Sequence, residues 1–145
     1  MTDLADSLDL SLEVGELIQL SGGHTTRTID SMERMAAALG AEESHVAISS
    51  VNVAITVVAG DEKATAGRHA GHFGINFNTL TQIERLVSET EVNRLAPAQV
   101  RSRLTLIRNA GRIYPVWAVM LALGGSSAAF AVLFGASPAA ASLAF

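Results

Sequence analysis

Apolar residues recur every three or four positions in two stretches of the first 40 residues. This spacing predicts one amphipathic helix over about residues 7–20 and a second that begins near His24. Gly22-Gly23 breaks the pattern between the two helices. The second helix is expected to end at Gly40, because glycine suits the left-handed position that follows a helix.

The pattern changes to alternating β-branched residues between positions 45 and 59. Its phase slips at Ser49-Ser50, which predicts a turn or bulge between two strands. A second turn is predicted at residues 60–62, and residues 63–68 form a predicted third strand. The three strands are expected to be antiparallel, since the sequence between them is too short for crossover connections.

Two further amphipathic helices are predicted after the strands, over about residues 78–90 and 97–109. Pro97 suits the first turn of the second of these helices. Together, the elements predict an α+β head domain over residues 1–112, in which helices flank a small antiparallel sheet.

Residues 113–145 carry no charged side chain and are mostly apolar or small. Within them, residues 116–134 are long enough, at about 1.5 Å per residue, to cross a hydrocarbon core of about 30 Å. This predicts a transmembrane helix, with Tyr114 and Trp117 at its entry. A turn at Pro138 and the start of a second apolar segment are expected beyond it, so the second domain is a transmembrane segment that looks truncated.

A run of small residues, 124–129, lies in the middle of the predicted span. Small side chains allow a neighbouring helix to approach closely. The run favours a helix that packs against further transmembrane helices or a partner membrane subunit, rather than a lone anchor.

Charge is unevenly distributed along a chain whose net charge is −4. Residues 1–62 carry 11 acidic and 2 basic residues, whereas residues 63–112 carry 3 acidic and 8 basic ones. Without a basic cluster, a nucleic-acid partner is not expected. The absence of cysteine excludes disulfides, thiol catalysis and Cys-ligated metals.

Arginines precede the apolar run, and neither Lys nor Arg follows it. The apolar run predicts that the lipid bilayer is a partner, and the positive-inside rule predicts that the head is cytoplasmic. The arginines concerned are Arg101, Arg103, Arg108 and Arg112.

The start of the second helix is the first candidate for a ligand site. His24 stands where free backbone N–H groups and the helix dipole attract an anion such as a substrate carboxylate. Arg27 and Asp30 lie on the same first turns and would complete a site for an anionic or zwitterionic ligand. The alternative is a solvated histidine at a helix start that is capped by Thr or Ser.

Two asparagines are further candidate contacts for a polar ligand. Asn52 lies in the predicted turn between strands, where the alternative role is a left-handed backbone angle. Asn76 precedes a helix, where the alternative role is a cap. His69 and His72 lack an acidic third ligand and are interpreted as loop histidines. Neither a metal nor a cofactor is predicted.

Several short motifs follow one another in a recognisable order. Residues 21–40 begin Ser-Gly-Gly-His and end Ala-Leu-Gly, and a strand pair comes next. Gly74-Ile75-Asn76 then precedes a helix, and residues 114–117, Tyr-Pro-Val-Trp, lead into the apolar span. Over about residues 8–135 this ordered set resembles the threonine/serine exporter family, in which a Ser-Gly-Ala-Glu stretch begins a helix that ends in Ala-Leu-Gly.

The resemblance implies a bacterial inner-membrane transporter module with a cytoplasmic α/β head and about five membrane helices, completed in some members by a partner protein. Members export small amino acids such as threonine and serine, and a related two-component system is associated with dicarboxylate export. The resemblance also implies a hydrolase-like character for the head. An ion gradient is the expected energy source, because the sequence has no nucleotide-binding loop.

Departures from the family pattern fall at His24, where an acidic residue is usual, and at Phe73, where an arginine is usual; Asp30 matches an acidic position. One span cannot enclose a transport pathway. The leading hypothesis is therefore the N-terminal part of a secondary exporter of threonine, serine or related small carboxylates, and not an enzyme. The alternative is a membrane-anchored cytoplasmic head with a binding, regulatory or hydrolase-like role.

Overall fold

The computed structural model describes residues 4–71, 74–110 and 115–135. The chain divides into two compact units, residues 1–111 and 112–145. The elements of the described residues, in chain order, are α1 (Leu4–Leu20), α2 (Thr25–Ala38), β1 (Glu43–Ile48), β2 (Asn52–Ala59), β3 (Glu62–His69), α3 (Phe77–Asn93), α4 (Pro97–Asn109) and α5 (Val116–Leu133).

The three strands form an antiparallel meander in the order β1-β2-β3. Along β2, Val53, Ile55 and Val57 are buried and alternate with half-exposed residues, as expected for a sheet with one covered face. Leu12 of α1 and Met32 of α2 pack on that covered face. Ser49-Ser50, where the alternation of apolar residues shifts by one position, lie in the turn that joins β1 to β2, as predicted.

A second core forms between the helices of the first unit. Leu10 and Val14 of α1 pack there against residues of α2, α3 and α4, including Ile83 and Leu104. Helix α1 therefore contributes to both cores, which explains why apolar side chains occupy more than one stripe of its sequence.

The predicted helix ends are confirmed at three positions. Gly40, which follows α2, has a φ of 98°, in the left-handed region that glycine adopts most readily. Asn76 caps α3, and its Oδ1 accepts a hydrogen bond from the Thr79 N–H at 3.2 Å. Pro97 is the first residue of α4.

Helix α5 is the described part of the second unit. It carries no charged residue, and large side chains such as Trp117 and Phe130 are exposed. The hydroxyls of Ser126 and Ser127 donate to helix carbonyls one turn earlier, at 2.9 and 3.0 Å. No helix within residues 4–71, 74–110 and 115–135 combines the length and the apolarity that a membrane crossing needs.

The crossing at residues 116–134 stays a prediction. The expected interfacial Tyr114, the flanking Arg112 and the turn at Pro138 lie outside the described residues. The second apolar segment expected after Pro138 lies outside them as well.

Candidate functional site

Helices α2 and α3 lie side by side and run in the same direction. The Arg27 Nε donates to a carboxylate oxygen of Glu84 at 2.7 Å, and two turns further along both helices Arg34 pairs with Glu91. In both pairs the partners are 57 residues apart in sequence. A step of two turns along α2 is therefore matched by a step of two turns in the same direction along α3, which requires parallel helices. The N-termini of the two helices therefore lie at the same end of the unit.

Backbone hydrogen bonds join the segments that lead into these two helices. The N–H of Gly74 donates to the Leu20 carbonyl at 2.9 Å, and the N–H of Asn76 donates to the Ser21 carbonyl at 3.1 Å. The first N–H groups of a helix have no acceptor within it and carry partial positive charge. Two such groups of donors are therefore brought to one place.

The Gly22-Gly23 turn allows this close arrangement. Gly22 has a φ of 78°, which strains any residue with a side chain. A Cβ on Gly23 would overlap the Cγ2 atom of Ile18 and lie 3.2 Å from Leu80. Glycine is thus required at position 22 by the backbone angle and at position 23 by the lack of space for a side chain.

His24 is the N-cap residue of α2, but its side chain makes no capping hydrogen bond. Its carbonyl accepts from both the N–H and the hydroxyl of Thr28, at 3.0 and 3.1 Å. The predicted cap by Thr or Ser is therefore wrong, whereas the exposed His24 ring agrees with the solvated histidine of the same alternative. Ile75 and Phe77 lie on the neighbouring segment and are 75% and 73% exposed, so apolar groups accompany the two helix starts.

The structure places Arg27 and Asp30 on α2 as predicted, but both are engaged. Arg27 pairs with Glu84, and the Asp30 carboxylate accepts from Arg34 at 3.3 Å one turn along the helix. The charge at this helix start is thus already balanced, and the remaining donors are backbone N–H groups and the exposed His24 ring.

Asn52 is not part of this cluster. It is the first residue of β2, and its Oδ1 lies 3.3 Å from the Nδ1 of His69, the last residue of β3. Within the described residues, Arg94 is the sole non-glycine residue with a positive φ, so the left-handed interpretation of Asn52 is wrong.

The interpretation of His69 as a loop residue is also wrong, because it pairs with Asn52 at the end of a strand. His72 and Phe73 lie outside the described residues. Among the described residues, no group of three His, Asp or Glu side chains is arranged to hold a metal ion.

An ion-pair network between α1, β3 and α4 was missed by sequence reasoning. Arg68 reaches Asp9 at 2.5 Å and Glu16 at 3.0 Å, while Arg101 reaches Asp6 and Asp9 at 3.0 and 2.8 Å. Arg108 completes the network with Glu13 and Glu16. The signal was available, since the four acidic residues of α1 recur at three- and four-residue steps and so share one helix face. These residues are Asp6, Asp9, Glu13 and Glu16.

The network affects the titration of its arginines. Burial alone would lower the pKa of Arg68, but the hydrogen bond with Glu16 and the charges of the α1 carboxylates outweigh it, so the pKa is raised. The hydrogen bonds that Arg101 donates to Asp9 and Asp6 likewise raise its pKa. Acidic residues of α1 and basic residues of β3 and α4 thus neutralise each other where these elements meet.

The arginines expected to flank a membrane are therefore engaged within the head. Arg101 and Arg108 pair with α1, and Arg103 pairs with Glu89 of α3. Near the Arg103 pair, a groove of about 210 Å³ lies between α3 and α4, with Leu106 in its lining. None of the predicted site residues lines this groove.

Comparison with known proteins identifies the class of protein to which this chain belongs. The model of the family described as "Putative threonine/serine exporter" matches residues 9–145. The chain therefore belongs to the threonine/serine exporter family, which confirms the resemblance found in its motifs.

A curated relative from Klebsiella aerogenes is named "Probable succinate transporter subunit YjjP". It is 31% identical to this chain over 100 residues, which are 69% of this chain and 38% of the relative. The matched stretch is thus well under half of that relative's length. No solved structure matches the chain.

Proposed function

We propose that this chain forms part of an inner-membrane secondary transporter that exports small amino acids such as threonine and serine, or related small carboxylates. The family match carries this proposal, because it extends over residues 9–145 and so includes both compact units. The name of the Klebsiella relative supports a carboxylate as cargo and a second subunit as partner.

In this proposal, α5 and the uncharged residues around it enter the bilayer, and the head lies in the cytoplasm. Residues 113–145 carry no charge, so no side chain in that stretch opposes insertion. The serine hydroxyls of α5 already donate to carbonyls within the helix, which lowers the cost of an apolar environment. Further helices, or those of a partner subunit, would enclose the pathway.

The cargo molecules named above share a carboxylate group. The start of α2 has no side-chain cap and offers this group free N–H donors, and the adjoining start of α3, where Asn76 already accepts the Thr79 N–H, offers its remaining ones, next to the exposed His24 and the amide of Asn76. Asp30 lies further along α2 and would attract the ammonium group of an amino acid. Arg27 would contribute by releasing the Glu84 carboxylate and pairing with the carboxylate of the substrate. Asn52 lies on the sheet and is omitted from this proposed site.

The transport proposal is tested by measuring export of labelled threonine, serine and succinate from preloaded cells. Export of at least one of these compounds should fall when the gene for the chain is deleted, and should recover when the chain is restored. Export that is unchanged in the deletion strain would contradict the proposal.

The proposed carboxylate site is tested separately with Asn76→Asp. Aspartate is as good a cap as asparagine, so the helix start is retained while a negative charge is added beside the site. The concentration for half-maximal export should rise about tenfold, the change that corresponds to about 1.4 kcal/mol. Asn93→Asp, at the other end of α3, is the matched control and should leave that concentration unchanged.

A membrane-anchored head with a binding or regulatory role is the second candidate, and the two buried cores of the first unit favour it. Replacing Gly124, Gly125 and Ala128 by leucine distinguishes the two functions. A lone anchor tolerates the larger side chains, whereas a helix packed in a transporter no longer assembles with its neighbours.

A hydrolase-like head would instead turn over ester or peptide substrates. If that activity survives in His24→Ala, Asp30→Ala and Asn52→Ala, these three residues are not catalytic.

A further inference from the structure

The three-stranded sheet has one covered face and one open face. Val53, Ile55 and Val57 point toward α1 and α2, so the residues that alternate with them point the other way. We name the open side the outer face. Its residues are Glu43, His45 and Ala47 of β1, Asn52, Ala54, Thr56 and Val58 of β2, and Lys63, Thr65, Gly67 and His69 of β3. All of them are exposed or half-exposed.

The centre of the outer face consists of small residues without charge. The strand register places Ala47, Ala54 and Gly67 in one row across the three strands. The open side of an antiparallel sheet normally presents polar side chains to water. The row of Ala47, Ala54 and Gly67 instead leaves space for another surface to pack closely against the sheet.

Four of the polar side chains beside this row are paired with each other, whereas His45, the register partner of Thr56, has no hydrogen bond among the described residues. The hydroxyls of Thr56 and Thr65 lie 2.9 Å apart, and Asn52 pairs with His69. A polar group that already has a hydrogen-bond partner costs much less to bury than one that loses water without replacement. The outer face can therefore be covered without leaving these groups unsatisfied.

Two opposite charges lie at the two edges of one row. Glu43 on β1 and Lys63 on β3 are both register partners of Val58, which is between them on β2. A twofold rotation about an axis along β2 exchanges the edges, so Glu43 of one copy would face Lys63 of the other. Two packed sheets are about 10 Å apart, a gap that these long side chains bridge.

We propose that the outer face is the contact between two copies of this chain in a symmetric dimer. Its charge pattern is self-complementary about β2, as a twofold contact requires. Each dimer would contain two Glu43–Lys63 pairs at the rim, with Ala54 and Thr56 of the two copies facing each other near the axis. The contact does not depend on any transported substrate.

Charge exchange tests the proposal on the purified full chain, with sedimentation equilibrium as the measurement. Glu43→Lys and Lys63→Glu should each weaken the dimer at least about tenfold, because each places like charges in both rim pairs. The double variant Glu43→Lys/Lys63→Glu should restore the dimer. Glu62→Lys is the matched control: it makes the same charge change next to Lys63 but on the opposite side of β3, and should leave the dimer unchanged.

Cross-linking tests the placement of the axis. The chain has no cysteine, so Thr56→Cys introduces a single thiol on the outer face. A short bifunctional maleimide should join two copies of this variant, and should not join copies of Ser102→Cys, which has its thiol on the exposed side of α4.

Three outcomes would overturn the proposal: a chain that is monomeric at all concentrations, a dimer that ignores the charge exchange, or Ser102→Cys linking as well as Thr56→Cys. A monomer would leave the outer face to another segment or partner. Because none of these outcomes involves export, they are distinguishable from a failure of the transport proposal.

Discussion

Gly15 of α1 lies directly against Met32 of α2, so that a Cβ at position 15 would overlap the methionine sulfur. In an unhindered helix, replacing glycine by alanine raises stability by about 0.5–1 kcal/mol. Here we expect Gly15→Ala to lower the free energy of unfolding by about 1–3 kcal/mol, since the extra methyl group overpacks the contact. Urea denaturation followed by circular dichroism measures the change.

The partner residue supplies the control for this prediction. Met32→Ala alone should also destabilise the chain, because it leaves a cavity in a fully buried site. In the double variant the new methyl group has space, so the loss should be smaller than the sum of the single losses. Additive losses would show that Gly15 is required for a reason other than the Met32 contact.

Ser7 and Ser11 are both buried on α1, but only one of them has a hydrogen-bond partner. The Ser7 hydroxyl donates to the Ala36 carbonyl at 3.1 Å, whereas the Ser11 hydroxyl has none among the described residues. Ser7→Ala should therefore cost about 1 kcal/mol of unfolding free energy. Ser11→Ala should be neutral or stabilising. Each variant removes one buried hydroxyl from α1, so the two are controls for each other, and thermal unfolding measures both. Equal losses would contradict the difference in bonding.

Local patterns predicted the elements well, because apolar spacing and end residues act over a few positions. The strand predicted at residues 63–68 is β3, and the predicted caps at Gly40 and Asn76 are present. Boundaries shifted where tertiary contacts extend a helix: α1 begins at Leu4, not near residue 7, and Leu4 packs against the sheet core.

Relationships between distant residues could not be predicted in this way. The parallel arrangement of α2 and α3 depends on pairs such as Arg27–Glu84, which no local window contains. Arg101 illustrates the consequence for function: from the sequence alone it is a membrane-flanking charge, whereas in the fold it binds Asp6 and Asp9. The candidate site at His24 was predicted from the properties of a helix N-terminus. That Asn76 belongs beside it became evident only from the fold, in which the segments before α2 and α3 are hydrogen-bonded to each other.

Arg68 connects β3 to two turns of α1 through Asp9 and Glu16. Arg68→Met keeps most of the apolar stem but removes both ion pairs, and we expect a loss of about 1 kcal/mol, since the side chain is one-third exposed and solvent screens the pairs. Arg68→Lys should recover only part of this loss, because an ammonium group has a single nitrogen, whereas Arg68 reaches the two carboxylates with two separate nitrogens.

Salt dependence provides the check on the Arg68 prediction. The difference between wild type and Arg68→Met in unfolding free energy should shrink in about 1 M salt, where the screening length falls to about 3 Å. Arg85→Met is the control, because Arg85 is exposed and forms no ion pair in the part of the chain that the structure describes. A difference for Arg68→Met that does not change with salt would indicate lost packing, not lost charge.

Glu91 should make the stability of the head depend on pH in the acid range. Hydrogen bonding from Arg34, opposed by burial and aided by the arginine charge, lowers the pKa of Glu91. The folded state therefore binds this proton less tightly than the unfolded state does. The resulting stabilisation is fully present above the unfolded pKa and is lost as pH falls through the lower, folded one.

We accordingly expect the difference in unfolding free energy between wild type and Glu91→Gln to be constant above about pH 5 and to shrink as the solution is made more acidic. Glu33→Gln is the matched control on α2, because it makes the same substitution at a residue that forms no ion pair among the described residues. Urea denaturation in buffers from neutral to strongly acidic pH measures both. A Glu91→Gln difference that stays constant down to the lowest pH would show that the Arg34 contact does not stabilise the folded head, and the parallel pairing of α2 and α3 would then rest on their apolar contacts and on the Arg27–Glu84 pair.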